Sequence, residues 1–213
     1  MTTDHSDYLD PLNLDNTAVL FVDSQTTLVL GVQSIDMTVL KTNTESLAQL
    51  AKIFELPVVP TTSGGGTDGL SGPLSRTITD AFPGVTRINH TGNLNALDDP
   101  RFDAAAKATG RTKLILAGIT TDFCFVCSAL ALIAQGYHVL IPINAFGSWT
   151  SATNDAALQR FTRAGATPTN VQSITGELLN ALTKKDVDDS VILLQQMVPA
   201  IISQNASYKA KGQ

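Results

Sequence analysis

The stretch Gly118-Ile119-Thr120-Thr121-Asp122-Phe123-Cys124-Phe125-Val126-Cys127 reads as the end of a buried strand turning directly into a helix. Upstream, residues 113–117 form the short apolar run of a parallel strand; downstream, residues 129–134 form a helical run that ends at Gly136. Cys124 therefore falls at a helix start. There the unpaired N–H groups and the positive dipole end favour a thiolate, so the pattern predicts a lowered thiol pKa. The same N–H groups would hold an oxyanion, which brings two parts of an acyl-transfer site to one place. Blander readings stand beside this one. A free cysteine is commonly core filler, and Cys127, already inside the helix, is read that way. A C-x-x-C pair also suits a redox dithiol or half of a metal site. The bulky Phe125 and Val126 between the thiols and the lack of a second cysteine pair weigh against both.

Working outward, strands and helices alternate. Residues 17–22 are a continuous apolar run closed by Asp23-Ser24-Gln25, followed by an amphipathic helix over 38–55 and a second strand at 57–62. The glycine-rich segment 63–72 contains a formal Gly64-x-Gly66-x-x-Gly69 match, but it follows the wrong strand and no apolar helix opens after it, so a loop or lid is expected. Pro73 starts a short helix, residues 85–88 a third strand, and His90 sits just beyond it. Further elements are a helix from Asp99 or Pro100 to Ala108, a fifth strand at 137–142, a helix capped by Ser151 or Thr153, a sixth strand at 166–171 and a helix at 176–182. This alternation implies an α/β fold: one domain, a doubly wound parallel sheet with helices on both faces. Ligands bind such sheets at the carboxyl ends of strands, where Asp23, His90 and Cys124 all fall.

The 213 residues divide into a polar arm (1–16), the domain (17–182) and a C-terminal helix and tail (183–213). That last helix carries an apolar stripe at Val187, Val191, Leu194, Val198 and Ile201, which calls for cover from its own core or a second copy. A net charge of -5 argues against nucleic acid or an anionic membrane as partner. The acidic start with Asp4, Asp7, Asp10 and Asp15 is no signal peptide, no 18-residue apolar run occurs, and two cysteines three apart suit a reducing compartment. The expectation is a cytoplasmic protein.

Val22-Asp23-Ser24-Gln25, Asn93-Leu94-Asn95-Ala96-Leu97, the segment 118–124 and Gly136-Tyr137-His138-Val139 resemble the isochorismatase-like cysteine hydrolase superfamily, in its small bacterial YcaC-type branch, over residues 17–182. The resemblance implies a six-stranded sheet in the order 3-2-1-4-5-6 and hydrolysis of a C–N bond in a small amide. It also implies octamers of stacked rings, Asp23 as acid/base and Cys124 as nucleophile. A cis Ile119–Thr120 peptide would turn the Thr120 N–H, beside that of Cys124, toward an oxyanion. One departure is marked: where the family carries Lys or Arg, this chain has His90, while Arg87 points to the opposite face. The implied triad is Asp23–His90–Cys124, with His90 a cation only if its pKa is raised. Gln25, Asn95 and Phe123 are expected to line the pocket. Neither metal nor cofactor is expected, since the zinc ligands of nicotinamidases have no counterpart in 57–70. The alternative is a pseudoenzyme that binds a small molecule while His90 has broken the triad.

Overall fold

The computed structural model describes residues 10–65, 68–90 and 93–180; the expected C-terminal helix at 183–213 and most of the polar arm lie outside them. The sheet is built around β1 (Thr17–Val22), every residue of which is buried. It pairs along its whole length with β4 (Lys113–Ile119), from Thr17↔Lys113 to Val22↔Gly118. A Cβ on Gly118 would sit 2.0 Å from the Val22 carbonyl oxygen, so the close approach of the two central strands at the site end requires glycine. β2 (Val58–Thr62) and β3 (Ile88–Asn89) extend one side, and β5 (His138–Pro142) and β7 (Thr167–Thr169) the other. All pairings are parallel, in the order β3-β2-β1-β4-β5-β7. The expected sixth strand is thus the edge strand β7, and the additional two-residue β6 (Phe146–Gly147) pairs with the end of β4.

Alternate residues of β1 and β4 serve two cores, which is why both strands read as unbroken apolar runs. Ala18, Leu20, Leu114 and Leu116 pack with Phe102, Phe125, Phe146 and Phe161 on one face. Val19, Phe21, Ile115 and Ala117 pack on the other with Leu47 and Leu50 of α2 (Met37–Ile53) and with Ile174 and Leu178 of α7 (Val171–Leu179). Phe125, Phe146 and Phe161 form a cluster with centroids 5.8–6.1 Å apart, each pair adding about 1 kcal/mol beyond area burial.

Caps set several helix boundaries. Asp36 accepts from the N–H groups of Thr38 and Val39 and starts α2. Asp99, with Pro100 at the first turn, starts α4 (Pro100–Ala108), and Thr150 starts α6 (Ser151–Arg163) one residue before the expected cap. α3 (Arg76–Ala81) begins three residues after Pro73 because Leu74 is bridged to Gln25 and the Pro73 carbonyl accepts from Thr26 of the short α1 (Thr26–Leu30). The last described helix begins at Val171, not at Gly176, because Asn170 caps it. Gly176 then lies on its open face, where a Cβ would meet nothing within 4 Å.

Candidate active site

At the end of β1 the chain turns through Asp23, whose φ of +52° is an unusual left-handed conformation for a residue with a side chain. The carboxylate is fully buried, and three donated hydrogen bonds meet it there. His90 Nε2 reaches Oδ1 at 2.9 Å and Oδ2 at 3.1 Å, and the Thr61 hydroxyl donates to Oδ1 at 2.8 Å. Thr61 Oγ1 also accepts from the Asp23 N–H at 3.2 Å, so the neighbouring strand β2 fixes both backbone and side chain.

His90 follows β3, its N–H bonded to the Thr62 carbonyl at 2.9 Å. Its ring, equally buried, has Nδ1 3.0 Å from the Asn93 carbonyl. Both ring nitrogens thus face acceptors. A neutral imidazole carries one N–H, so with Asp23 ionised only the imidazolium satisfies both contacts. The balance of forces agrees: burial pushes the His90 pKa down, but the hydrogen bond and charge of Asp23, with help from Asn93 and Asp99, hold it above the ordinary value. The charged form of His90 is thus favoured beside Asp23.

After β4 comes a cis Ile119–Thr120 peptide, as the resemblance implied. Residues Thr121–Phe125 form a wide π-type turn with Phe123 off helical geometry (φ −122°, ψ −105°), and α5 (Val126–Ala134) begins two residues beyond Cys124. The Thr121 hydroxyl donates to Asn154 at 2.8 Å, Asp122 accepts from the Ser148 hydroxyl, and Ser128 Oγ links the Cys124 carbonyl to the Ala96 N–H. The first two contacts tie the turn to α6 and to the segment after β6, and the third ties it to the loop that follows His90.

The expected lowering of the thiol pKa is corrected by this geometry. Burial pushes Cys124 up to about 12, and the nearby Asp23 carboxylate adds to the rise through its charge and its pull on the thiol proton. Only the residue's own N–H acts the other way. The α-helix starts too late for its dipole to prevail, since that effect fades within one turn. Cys124 is a protonated thiol at neutral pH, with the Asp23 carboxylate beside it.

The thiol opens into a cavity of about 280 Å³ with Thr120 and Cys124 at its base and Leu28, Leu94, Phe123 and Trp149 among its walls. Of the three expected lining residues only Phe123 is there. Gln25 is fully buried and spends its amide on the glycine-rich strap, donating to the Ser63 and Gly72 carbonyls and accepting from the Ser63 N–H at 2.7 Å. Asn95 caps a 3₁₀ turn (Ala96–Asp98) through the Leu97 N–H and donates to Asp98. Thr61, Asn93 and Trp149 are the residues the sequence reading passed over. A larger cavity of about 830 Å³, beyond Pro73, holds none of the reactive groups. Among the described residues no three His, Cys, Asp or Glu side chains gather as metal ligands would.

A family model for the isochorismatase domain matches residues 17–173. The chain belongs to the isochorismatase family. It is 38% identical over 155 residues to the probable hydrolase YcaC of Escherichia coli, covering 73% of this chain and 74% of the relative. The structure of YcaC from Pseudomonas aeruginosa with hexane-2,5-diol and covalent acrylamide superposes with a TM-score of 0.87 at 34% identity, covering 94% of this chain and 98% of that one. The E. coli YcaC structure, an octameric hydrolase of unknown specificity, gives 0.87 at 33% identity, over 94% and 97% of the two chains. The sheet order is that of the isochorismatase fold.

Proposed function

We propose that this isochorismatase-family hydrolase cleaves a small amide through a thioester on Cys124. The observation that carries the reading is the buried Asp23 carboxylate, held by His90 and Thr61 and facing the Cys124 thiol at the mouth of a small cavity. Asp23 takes the thiol proton as sulfur attacks the amide carbon, and the Thr120 and Cys124 N–H groups receive the developing oxyanion. The C–N bond then breaks, the amine leaves with the proton from Asp23, and the acyl group stays on sulfur. Water attacks the thioester, gives its proton back through Asp23, and releases the acid and the free thiol. His90 orients the Asp23 carboxylate without exchanging protons itself. The covalent acrylamide in P. aeruginosa YcaC supports the reading, since acrylamide is both a small amide and an electrophile that thiols attack.

Screening uncharged amides for acid release tests the proposal: turnover must vanish in Cys124→Ala and fall steeply in Asp23→Asn. Hydrolysis that survives Cys124→Ala contradicts it. We further propose a homo-oligomer, possibly an octamer as in E. coli YcaC, acting in the reducing cytoplasm with both thiols free. Light scattering giving a monomer mass would contradict the assembly.

A further inference from the structure

We infer that the site selects uncharged amides with an apolar acyl group and rejects anionic ones, an inference that rests on the hydrolase reading of this same cavity. Among the described residues, no charged side chain lines it. The two charges nearest the thiol, Asp23 and His90, are fully buried and consumed by each other. Three cations do line a cavity elsewhere, Lys41, Arg76 and Arg87 in the larger cleft, so the lack of one at the thiol is local.

The walls instead gather exposed large apolar side chains: Phe123 is 50% exposed, Trp149 49% and Leu94 46%. Large apolar side chains gathered at the mouth of a pocket mark a ligand surface. Trp149 packs over Gly31, whose lack of a side chain makes room for it: a Cβ there would lie 2.8 Å from the indole nitrogen. The polar lining is uncharged, and Ser63 is partly spent on Gln25. A carboxylate entering this space would shed its hydration and find no cation, with the Asp23 carboxylate close behind the sulfur. Burial raises the Cys124 pKa first, and that same negative charge adds to the rise.

The test uses the full chain and two isosteric thiol probes, iodoacetamide and iodoacetate, with alkylation at Cys124 followed by peptide mapping and rates normalised to free cysteine. The normalised preference for iodoacetamide is expected to be about 100-fold, because an unpaired anion is excluded from a desolvated, uncharged site. Trp149→Arg, which puts a cation at the rim, should reduce that preference by about 10-fold. In turnover, kcat/KM for butyramide should exceed that for succinamate by about 100-fold. A ratio no larger than that of free cysteine, or preferred turnover of succinamate, overturns the selectivity. Amide hydrolysis that persists in Cys124→Ala instead overturns the hydrolase reading, whatever the alkylation ratio.

Discussion

The two ends of the sheet each hold an ion pair, and the pairs are built for different work. At the carboxyl ends, Asp23 and His90 are both sealed from water and tied to strand β2 by further hydrogen bonds, Asp23 from the Thr61 hydroxyl and His90 to the Thr62 carbonyl. At the amino ends, Lys113 of β4 is nearly as buried, but its partner Asp10, 2.9 Å away, is 56% exposed. Asp10 can be hydrated without Lys113, whereas Asp23 has no such alternative. A pair with one wet partner is a tether worth little net stability, while breaking a sealed pair leaves an uncompensated buried charge. On the proposed mechanism, the difference separates a charge used in the chemistry from one that tethers the chain.

Their pH windows run in opposite directions. The His90 pKa is raised on folding, so its contribution is fully present below the ordinary histidine value and is lost as pH rises through the raised folded value. The Asp10 pKa is lowered, first by its hydrogen bond to Lys113, so its contribution is present above the ordinary carboxylate value and lost as pH falls through the lowered one. Alkali should therefore weaken the catalytic end and acid the tethered end. Cys124, up at about 12, stays protonated across this range and does not set the alkaline limb.

The comparison can be broken at several points, beginning with Asp23. Asp23→Asn removes the proton acceptor and should lower kcat by about 10³-fold, the middle of the range for a lost general base. It should at the same time lower the titration midpoint of Cys124, because a charge raising it is gone; direct thiol titration checks this, and an unchanged midpoint would remove Asp23 from the sulfur's surroundings. His90→Ala should cost about 10²-fold in turnover by unpairing the carboxylate. His90→Lys is expected to restore turnover and carry the alkaline limb of the pH–rate profile upward, since Lys keeps its charge where His loses it. A profile unmoved by either variant would reduce His90 to a loop residue. Thr61→Val should slow turnover by about 10-fold, the scale of one hydrogen bond to a charged group. Lys113→Met, at the other end, should change stability by no more than about 1 kcal/mol and leave kcat alone, measured by denaturant melts and steady-state rates.

Much of this arrangement is legible in the sequence, for identifiable reasons. Strands β1 and β4 announce themselves as apolar runs because both their faces are buried, and each ends on a residue with chemistry, Asp23 or the Cys124 turn. The site's residues are separated along the chain but share one sheet edge, which the parallel alternation alone implies. The details that escape depend on backbone geometry. Thr61 matters because Asp23 turns left-handed toward β2, an event without a sequence signal. Gln25 and Asn95 sit beside reactive positions, yet buried or turn-forming backbone groups claim their amides. Trp149 follows the two-residue β6, too short to read as a strand, and the sequence alone offers little to aim it at the thiol. The direction of the Cys124 shift was misread because a helix start is visible in sequence, whereas burial beside a carboxylate is not.

The central claim is a covalent step on one sulfur. Its most direct measurement is mass analysis of the full chain, acid-quenched during turnover of an uncharged amide, with the modified peptide mapped. A mass gain equal to the acyl group is expected on the Cys124 peptide, absent from Cys127, decaying as the acid product appears and never formed by Cys124→Ala. Acid product released at an undiminished rate by Cys124→Ala, or an acyl group mapped to Cys127 instead, would contradict it.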